Sequence, residues 1–269
     1  MLAKTPLTAC QQHLPLPTLF SSHHTKLFIV KGGLIIYQLY HSSRPIFPTF
    51  SWPHLLLLGI IFLLAYLIVR YINDTLPSRY ITSIRCTLVI TLIVQQFLLY
   101  SWYVMNDEWH IADALPLYPC RLTTLLVLLM LITKRTILLN FTFYWGVIGA
   151  CLALLSPDTN QLGFPNAMFI QFFLGHASLL IGILFISKTT KFTVTKKGLL
   201  LTYKQSLLYF ALLLLINEIF GSNYAYLRTL PPSIFLTWAP SYPWHIPLVI
   251  VAIFLLFYVL YLLCRKRLA

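Results

Sequence analysis

The stretch IPLVIVAIFLLFYVLYLLC, residues 246–264, contains no charged side chain and is followed directly by Arg265, Lys266 and Arg267. A helix needs about 20 predominantly apolar residues to cross the hydrocarbon core of a bilayer, so this stretch predicts a transmembrane helix. The cations that follow it are typical of the cytoplasmic end of such a helix. A backbone in hydrocarbon must also satisfy its hydrogen bonds internally, so the bilayer is the factor that decides the fold.

The rest of the chain has the composition that this stretch suggests. Of its 269 residues, 59% are hydrophobic and 9% are charged, with a mean hydropathy of +0.80, and this composition lies far outside the balance of soluble globular domains. The apolar runs are too long for the strands of an outer-membrane barrel and lack their alternation. We therefore predict an all-α, polytopic membrane helical bundle of about seven transmembrane helices, at residues 54–69, 81–103, 115–132, 137–155, 166–187, 199–220 and 246–264.

The net charge is +13, from 19 Lys and Arg residues against 6 Asp and Glu residues, and its distribution predicts the topology. Basic residues fill the links between spans one and two, three and four, and five and six, and they also follow span seven. The alternate links carry Asp107, Glu108 and Asp113, then Asp158, and in the last of them only Arg228. By the positive-inside rule, the N-terminus of span one faces outside and the C-terminus faces the cytosol.

The placement of these charges also limits the partners that the sequence predicts. Because the basic residues serve topology, they do not indicate a nucleic-acid surface, and the chain has no Gly-rich nucleotide-binding loop. The five cysteines lack the paired spacing of a zinc or haem site, so neither metal ligands nor a cofactor is predicted. Membrane lipids are the predicted partners, and a cell membrane that the chain crosses several times is the predicted location. The oligomeric state stays open.

The chain is predicted to have one folded domain and an arm. Residues 48–269 form the seven-helix transmembrane domain, because only short links join the spans. Residues 1–47 are predicted to be an N-terminal arm that is interfacial or disordered. Its apolar stretch LFIVKGGLIIYQLY is too short for a span and contains Lys31 and two glycines.

Polar side chains within the spans are concentrated towards the predicted outer ends. A charged side chain at the centre of a membrane helix costs about 2.5 to 3.5 kcal/mol, so such positions are informative. The inner halves are almost purely aliphatic, which favours a one-sided pocket over a path through the membrane. We predict an outer-leaflet polar pocket whose candidate residues are Cys120, Gln171, His176, Asn217, Glu218, Asn223, Tyr224 and Arg228.

The stretch LPLYPCRL, residues 115–122, contains the candidate nucleophile. Pro119 suits the first position of a helix, which puts Cys120 in the first turn. The free N–H groups of that turn and the charge of Arg121 stabilise a thiolate, whereas apolar burial stabilises the neutral thiol.

His176 is the candidate base for this thiol. By helix rise, Cys120 lies roughly 7 Å below Leu115 and His176 roughly 15 Å below Asn166, so both belong to the outer half of the membrane. A thiol and an imidazole at comparable depth suit nucleophilic catalysis. The alternative is that Cys120 is a small buried residue and His176 a packing residue.

Four stretches resemble one known family in the same order: LPLYPCRL, LLSPDTNQLGFPNAMFIQFFLGHASLL, GSNYAYLRTLPP and WAPSYPWHI. They are similar to the YwaF-type integral membrane proteins, a bacterial seven-span family related to the eukaryotic transmembrane protein 164 acyltransferases. The resemblance covers residues 48–261 and implies a seven-helix bundle in a bacterial plasma membrane. It also implies that Cys120 carries the acyl group and that His176 matches the family histidine. Tyr118 and Pro119 stand where relatives often have His or Glu and then Leu.

Two classes of function are compatible with these residues. In the first, a lipid acyltransferase or acyl hydrolase, Cys120 attacks an acyl ester and His176 transfers protons. In the second, a transporter or a solute-binding or accessory membrane protein, the same side chains line an outward cavity without catalysis. The remaining candidates bind the substrate in the first class: Gln171, Asn217, Glu218, Asn223, Tyr224 and Arg228.

Overall fold

The computed structural model describes residues 48–73, 75–159, 162–230 and 239–265, together with Gly33, Tyr37 and residues 39–41. Most of the predicted N-terminal arm therefore lies outside the described residues. All regular secondary structure in the described part is helical. The helices are α1 (Trp52–Tyr71), α2 (Ser78–Met105), α3 (Ile111–Ala114), α4 (Pro119–Thr133), α5 (Leu139–Leu155), α6 (Ala167–Thr189), α7 (Lys196–Phe220), a 3-10 helix (Tyr224–Tyr226) and α8 (His245–Cys264).

Five of these helices have the length and hydropathy to cross a membrane, namely α1, α2, α6, α7 and α8. Helices α4 and α5 are also apolar but are shorter, with 15 and 17 residues. The prediction of an all-α, polytopic membrane protein is confirmed. The number of spans and the orientation of the chain ends stay predictions.

The third predicted span needs a correction at its start. Six of the seven predicted spans agree with helices to within three residues at each end, but α4 begins at Pro119 rather than Leu115. The residue before a proline avoids the α region, because the proline ring clashes with it. Leu115 before Pro116 and Tyr118 before Pro119 accordingly have ψ angles of 148° and 141°. The segment that precedes Cys120 is therefore not part of the helix.

Helix α6 is the centre of the bundle and packs against α1, α2, α4 and α5. It is the most buried of the five long apolar helices, and two of its glycines permit close approach. A Cβ added to Gly175 would lie 3.0 Å from the side chain of Gln95 on α2. A Cβ added to Gly182 would lie 2.8 Å from Cγ1 of Val127 on α4. Small residues at such contacts let membrane helices pack closely, because van der Waals contact holds them together.

Helices α7 and α8 pack on the α5 side of the bundle. Trp145 of α5 donates from Nε1 to Ser206 Oγ of α7 at 2.8 Å, and its ring lies 5.3 Å from that of Phe257 of α8. Tyr203 of α7 donates its hydroxyl hydrogen to Phe254 O of α8 at 2.9 Å. These polar and aromatic contacts join the three helices α5, α7 and α8.

Buried polar contacts join the helix ends that the topology prediction puts outside. His54, near the start of α1, is fully buried. Its Nε2 donates to Leu154 O at the end of α5, and its Nδ1 accepts the Phe50 N–H, both at 2.9 Å. Tyr40, from the predicted arm, is also buried, and its hydroxyl is 2.8 Å from Ser101 Oγ of α2. This residue of the arm therefore packs against the helices.

The predicted topology puts the loop after α2 outside and the link between α6 and α7 in the cytosol. Asp107→Cys and Lys191→Cys, at exposed positions in a variant without native cysteines, test the two sides separately. We expect a membrane-impermeant maleimide to label Asp107→Cys in intact cells and Lys191→Cys only after permeabilisation, because basic links stay inside. Labelling of Asp107→Cys only after permeabilisation would overturn the orientation.

The close contact at Gly182 predicts a strong effect of one added methyl group. Gly182→Ala is expected to lower the free energy of unfolding by about 1–3 kcal/mol, since the stiff side chain of Val127 cannot easily give way. Gly59→Ala on α1 is the matched control, because nothing lies within 4 Å of its added Cβ. Thermal unfolding in detergent measures both variants, and equal midpoints would contradict the packing described for α6.

Candidate functional site

The candidate nucleophile lies at the start of α4. Pro119 occupies the first helical position, as predicted, and Cys120 follows it in the first turn. The half-buried thiol is free and faces α5, where a Cβ added to Gly149 would lie 3.0 Å from Cys120 Sγ. The absence of a side chain at Gly149 therefore makes room for the sulfur between α4 and α5.

The non-helical segment before Cys120, residues 115–118, is half-buried in the bundle. Tyr209 of α7 donates its hydroxyl hydrogen to Leu117 O at 2.6 Å. Tyr209 precedes the end of α7 at Phe220 by eleven residues, or about 16 Å of helix rise. Non-helical backbone at such depth is tolerated only where protein or a cavity surrounds it. The depth of Cys120 therefore cannot be counted by helix rise from Leu115, because the residues between them include a turn and are not helical.

Arg121 follows the thiol and is held by aromatic side chains and hydrogen bonds. Its NH2 group donates to Tyr103 OH at 2.6 Å, and its NH1 group donates to Asp113 O. The guanidinium carbon lies 5.3 Å from the ring centre of Tyr103 and 5.0 Å from that of Tyr118, within cation–π range. Among the described residues no Asp or Glu side chain forms an ion pair with Arg121, so its charge acts on the thiol beside it.

His176 is half-buried on α6, and its contacts identify the basic nitrogen. Nδ1 lies 2.7 Å from Phe172 O, and because a carbonyl oxygen only accepts, Nδ1 carries the hydrogen. In a neutral imidazole Nε2 then holds the lone pair. The ring also packs on Phe172, with centroids 4.3 Å apart. Nε2 forms no hydrogen bond with any residue that the structure describes.

Cys120 and His176 lie at comparable levels on α4 and α6. The two helices touch at Val127 and Gly182, and Arg121 lies within electrostatic range of His176. Cys120 precedes Val127 by seven residues and His176 precedes Gly182 by six, or about 10 Å and 9 Å of helix rise. No hydrogen bond joins the two side chains within the described part of the chain. Their action as a catalytic pair stays a prediction.

Gln171 belongs to a chain of amide side chains between α2 and α6. Gln95 Nε2 donates to Gln171 Oε1 at 2.9 Å, and Gln171 Nε2 donates to Met168 O at 3.1 Å. Gln96 extends the chain by donating from Nε2 to Gln95 Oε1 at 2.8 Å. Such bonds between helices satisfy polar groups that lipid cannot satisfy. Gln171 therefore joins α2 to α6 through its acceptor oxygen, while its amide nitrogen donates within α6.

Asn217 organises the turn that follows α7. The helix is terminated by Gly221, whose φ of 62° suits glycine. Asn217 Oδ1 accepts hydrogens from Ser222 Oγ and Tyr224 N, both at 2.8 Å. Its Nδ2 donates to Tyr224 O at 3.0 Å. The Asn217 side chain, which the sequence predicted to bind substrate, thus forms hydrogen bonds within the turn after α7.

Asn223 and Arg228 belong to the same turn. Asn223 Oδ1 accepts the N–H groups of Arg228 and Thr229 at 2.9 and 3.0 Å, and Arg228 NH1 donates to Asn217 O at 3.2 Å. Glu218 is exposed and forms no hydrogen bond with any described residue. The structure therefore brings Asn217, Asn223 and Arg228 together and does not bring Glu218 into their network.

Tyr224 connects this turn to the segment before Cys120. Its side chain is fully buried, its hydroxyl donates to Ile111 O, and the same oxygen accepts the Leu115 N–H at 3.2 Å. Its ring meets that of Tyr118 edge to face at 5.2 Å. The turn after α7 therefore supports the non-helical segment that precedes α4 and its thiol.

Three residues near the thiol are absent from the sequence candidates: Gly149, Tyr209 and Tyr226. The hydroxyls of Tyr209 and Tyr226 lie within electrostatic range of Cys120. Burial, with the Asp158 carboxylate, raises the pKa of Tyr226 to about 12, so this phenol keeps its hydrogen at neutral pH. An isolated Tyr or Gly has no spacing pattern that points to a thiol on another helix, so the sequence offers no signal for them.

Comparison with known families supports the resemblance of the four motifs. The model of the TMEM164 family matches residues 49–261, a range that contains Cys120, His176 and the turn after α7. The chain belongs to the TMEM164 family. No curated protein and no solved structure matches it. The predicted relation to the transmembrane protein 164 proteins is thus confirmed at the level of the family.

In this member of the TMEM164 family, Cys120 differs from the other cysteines in its place on a helix. Of the four cysteines among the described residues, Cys86, Cys151 and Cys264 lie further along α2, α5 and α8, whereas Cys120 lies in a first turn. The described residues contain no group of three or more His, Cys, Asp and Glu side chains that could hold a metal ion.

The buried hydroxyl of Tyr224 predicts a loss of stability on its removal. Tyr224→Phe leaves Ile111 O and Leu115 N without this partner, so we expect the free energy of unfolding to fall by about 1–3 kcal/mol. Tyr258→Phe is the control, because that side chain is 46% exposed, and its effect is expected to stay within about 0.5 kcal/mol. Thermal unfolding in detergent compares them, and equal losses would contradict the role of Tyr224.

Proposed function

We propose that this TMEM164-family protein is a membrane-embedded acyltransferase or acyl hydrolase that acts on a lipid ester from the outer leaflet. Cys120 is the nucleophile, and His176 is the base that transfers protons. The observation that carries the proposal is the comparable level of the two side chains, together with a basic Nε2 on His176 that has no hydrogen bond to the described residues.

The proposed reaction has two steps. In the first, His176 Nε2 takes the thiol hydrogen and Cys120 Sγ attacks the acyl carbonyl carbon, forming a C–S bond. The ester C–O bond breaks, and the leaving alcohol takes the proton from His176, so that a thioester on Cys120 remains. In the second, an alcohol or water gives its proton to His176 and attacks the thioester, and the departing thiolate recovers that proton. An alcohol acceptor gives acyl transfer, and water gives hydrolysis.

The surroundings of Cys120 suit the negative charge that develops on the acyl oxygen. Arg121 supplies a positive charge next to the thiol. The Tyr209 hydroxyl hydrogen is already donated to Leu117 O, so this hydroxyl holds the segment before the thiol. Fixed charges and donors stabilise such an intermediate because they need no reorganisation during the reaction. The contacts of Arg121 with the Tyr103 hydroxyl and ring keep it in place.

The lipid substrate is inferred from the position of the thiol. Cys120 lies in the first turn of an apolar helix, in a bundle that exposes many large apolar side chains. An amphiphilic ester can approach such a site from the bilayer, with its chains in contact with apolar helices. Arg121 and the polar turn after α7 lie at one end of the bundle, where they can contact the polar group of such an ester.

The proposal predicts a thioester on Cys120 during turnover. Cys120→Ser and His176→Ala are each expected to lower turnover by at least about 10²-fold, and the double variant by little more, because the two groups act as one unit. Cys151→Ser on α5 is the matched control, since it removes a free thiol at another place. Acyl release from a fluorescent diacyl lipid in nanodiscs measures turnover, and intact-protein mass spectrometry detects the thioester.

Thermal unfolding of each variant separates loss of chemistry from loss of folding. Full acyl turnover in both Cys120→Ser and His176→Ala would exclude the pair as catalytic groups. If the wild-type protein gives neither turnover nor a thioester, a transport, solute-binding or accessory role of the outer pocket becomes the better interpretation.

A further inference from the structure

The proposed reaction makes no use of a cavity at the opposite end of the bundle from Cys120. The cavity has a volume of about 330 Å³ and lies between the start of α5 and the link that leads into α7. Its lining combines polar and apolar side chains, which include Asn140, Thr193, Thr195, Lys197, Phe192 and Leu201. A mixed lining of this kind suits an amphiphilic ligand.

Gly198 of α7 lines this cavity. A Cβ at Gly198 would lie 2.2 Å from Asn140 Oδ1, so the Asn140 amide rests directly on the backbone of α7. The Gly198 N–H is bonded to Thr195 Oγ1 at 3.0 Å. The N–H groups of Lys196 and Lys197 belong to the first turn of α7 and have no partner within the helix. Backbone hydrogen-bond donors therefore lie in the same helical turn as Lys197, which lines the cavity.

The charge around the cavity is positive and has no acidic counterpart in the neighbouring links. Lys196 and Lys197 are exposed, and residues 133–138 and 188–204 contain Lys and Arg but no Asp or Glu. Near a membrane surface each such cation contributes about 1 kcal/mol to the attraction of anionic lipid, and basic pockets between helices bind anionic head groups. The cavity thus favours an anionic ligand.

An apolar stripe continues from the cavity along the exposed side of α7. Leu201 lines the cavity and is 44% exposed, and the exposed fractions of Leu208, Leu212 and Leu215 are 63%, 51% and 59%. Intervals of seven, four and three residues put these side chains on one face of a helix. Acyl chains can lie along this stripe while a head group occupies the cavity, whereas a free phosphate would contact the cavity alone.

We propose that this cavity binds the head group of an anionic phospholipid of the predicted cytosolic leaflet. The Lys197 ammonium group and the Asn140 amide and Thr193 hydroxyl donate hydrogen bonds to the phosphate oxygens, and the acyl chains lie along the leucine stripe of α7. The lipid is bound without reaction, so this site does not depend on the acyl chemistry proposed for Cys120.

Lys197→Gln and Lys204→Gln form a matched pair that tests this site. Each removes one exposed lysine of α7, but of the two positions Lys197 lines the cavity and Lys204 does not. The purified protein in phosphatidylcholine nanodiscs is titrated with fluorescent phosphatidylglycerol, and fluorescent phosphatidylcholine is the neutral probe. Lys197→Gln is expected to weaken phosphatidylglycerol binding about fivefold or more, and Lys204→Gln less than about twofold. Lys197→Arg keeps the charge and is expected to retain binding.

Three outcomes would overturn the proposal. Equal weakening by both glutamine variants would mean that general surface charge, and not the cavity, attracts the lipid. Equal binding of fluorescent phosphatidylcholine by the wild-type protein would remove the requirement for an anionic head group. Full displacement of the lipid by inorganic phosphate at millimolar concentration would indicate a free-anion site. These measurements do not use acyl turnover, so they stay valid if the Cys120 and His176 variants disprove the proposed reaction.

Discussion

Between α4 and α6, the hydrogen atom of Gly182 occupies the place where a Cβ would approach Val127 within 2.8 Å. Lipid tails are as apolar as leucine, so these helices are held mainly by van der Waals contact, which weakens steeply with distance. A side chain at Gly182 would push α4 away from α6, the helix on which four others pack. Because Cys120 and His176 belong to these two helices, the same contact sets the level at which thiol and imidazole lie.

The two prolines of LPLYP connect local geometry to the site. They keep residues 115–118 out of the helix, which leaves backbone groups in need of partners inside an apolar bundle. Tyr209 bonds to Leu117 O, and Tyr224 accepts the Leu115 N–H. Both tyrosines come from α7 or the turn after it, so this part of the chain positions the start of α4. The first turn of α4, which contains Cys120, is thereby partly covered by other parts of the protein.

The two ends of the bundle use their polar side chains in different ways. At the end of the bundle that contains Cys120, Asn217 and Asn223 form their hydrogen bonds within a single turn. Arg121 keeps N–H donors, and His176 keeps a lone pair on Nε2, that the described residues do not use. At the opposite end, the lysines at the start of α7 stay exposed beside a cavity. This division suits acyl chemistry at one face of the membrane and lipid binding at the other.

The sequence by itself determined the helical membrane fold, the approximate bounds of the helices and the first-turn position of Cys120, because hydropathy, span length and the geometry of proline are local properties. It did not distinguish a ligand-binding amide from a turn-forming one, since Asn217 has the same chemistry in either role. Only the tertiary structure decided that Gly149 accommodates the thiol and that Tyr209 supports the segment before it. Those contacts join residues far apart in the chain, and their partners depend on how the helices pack.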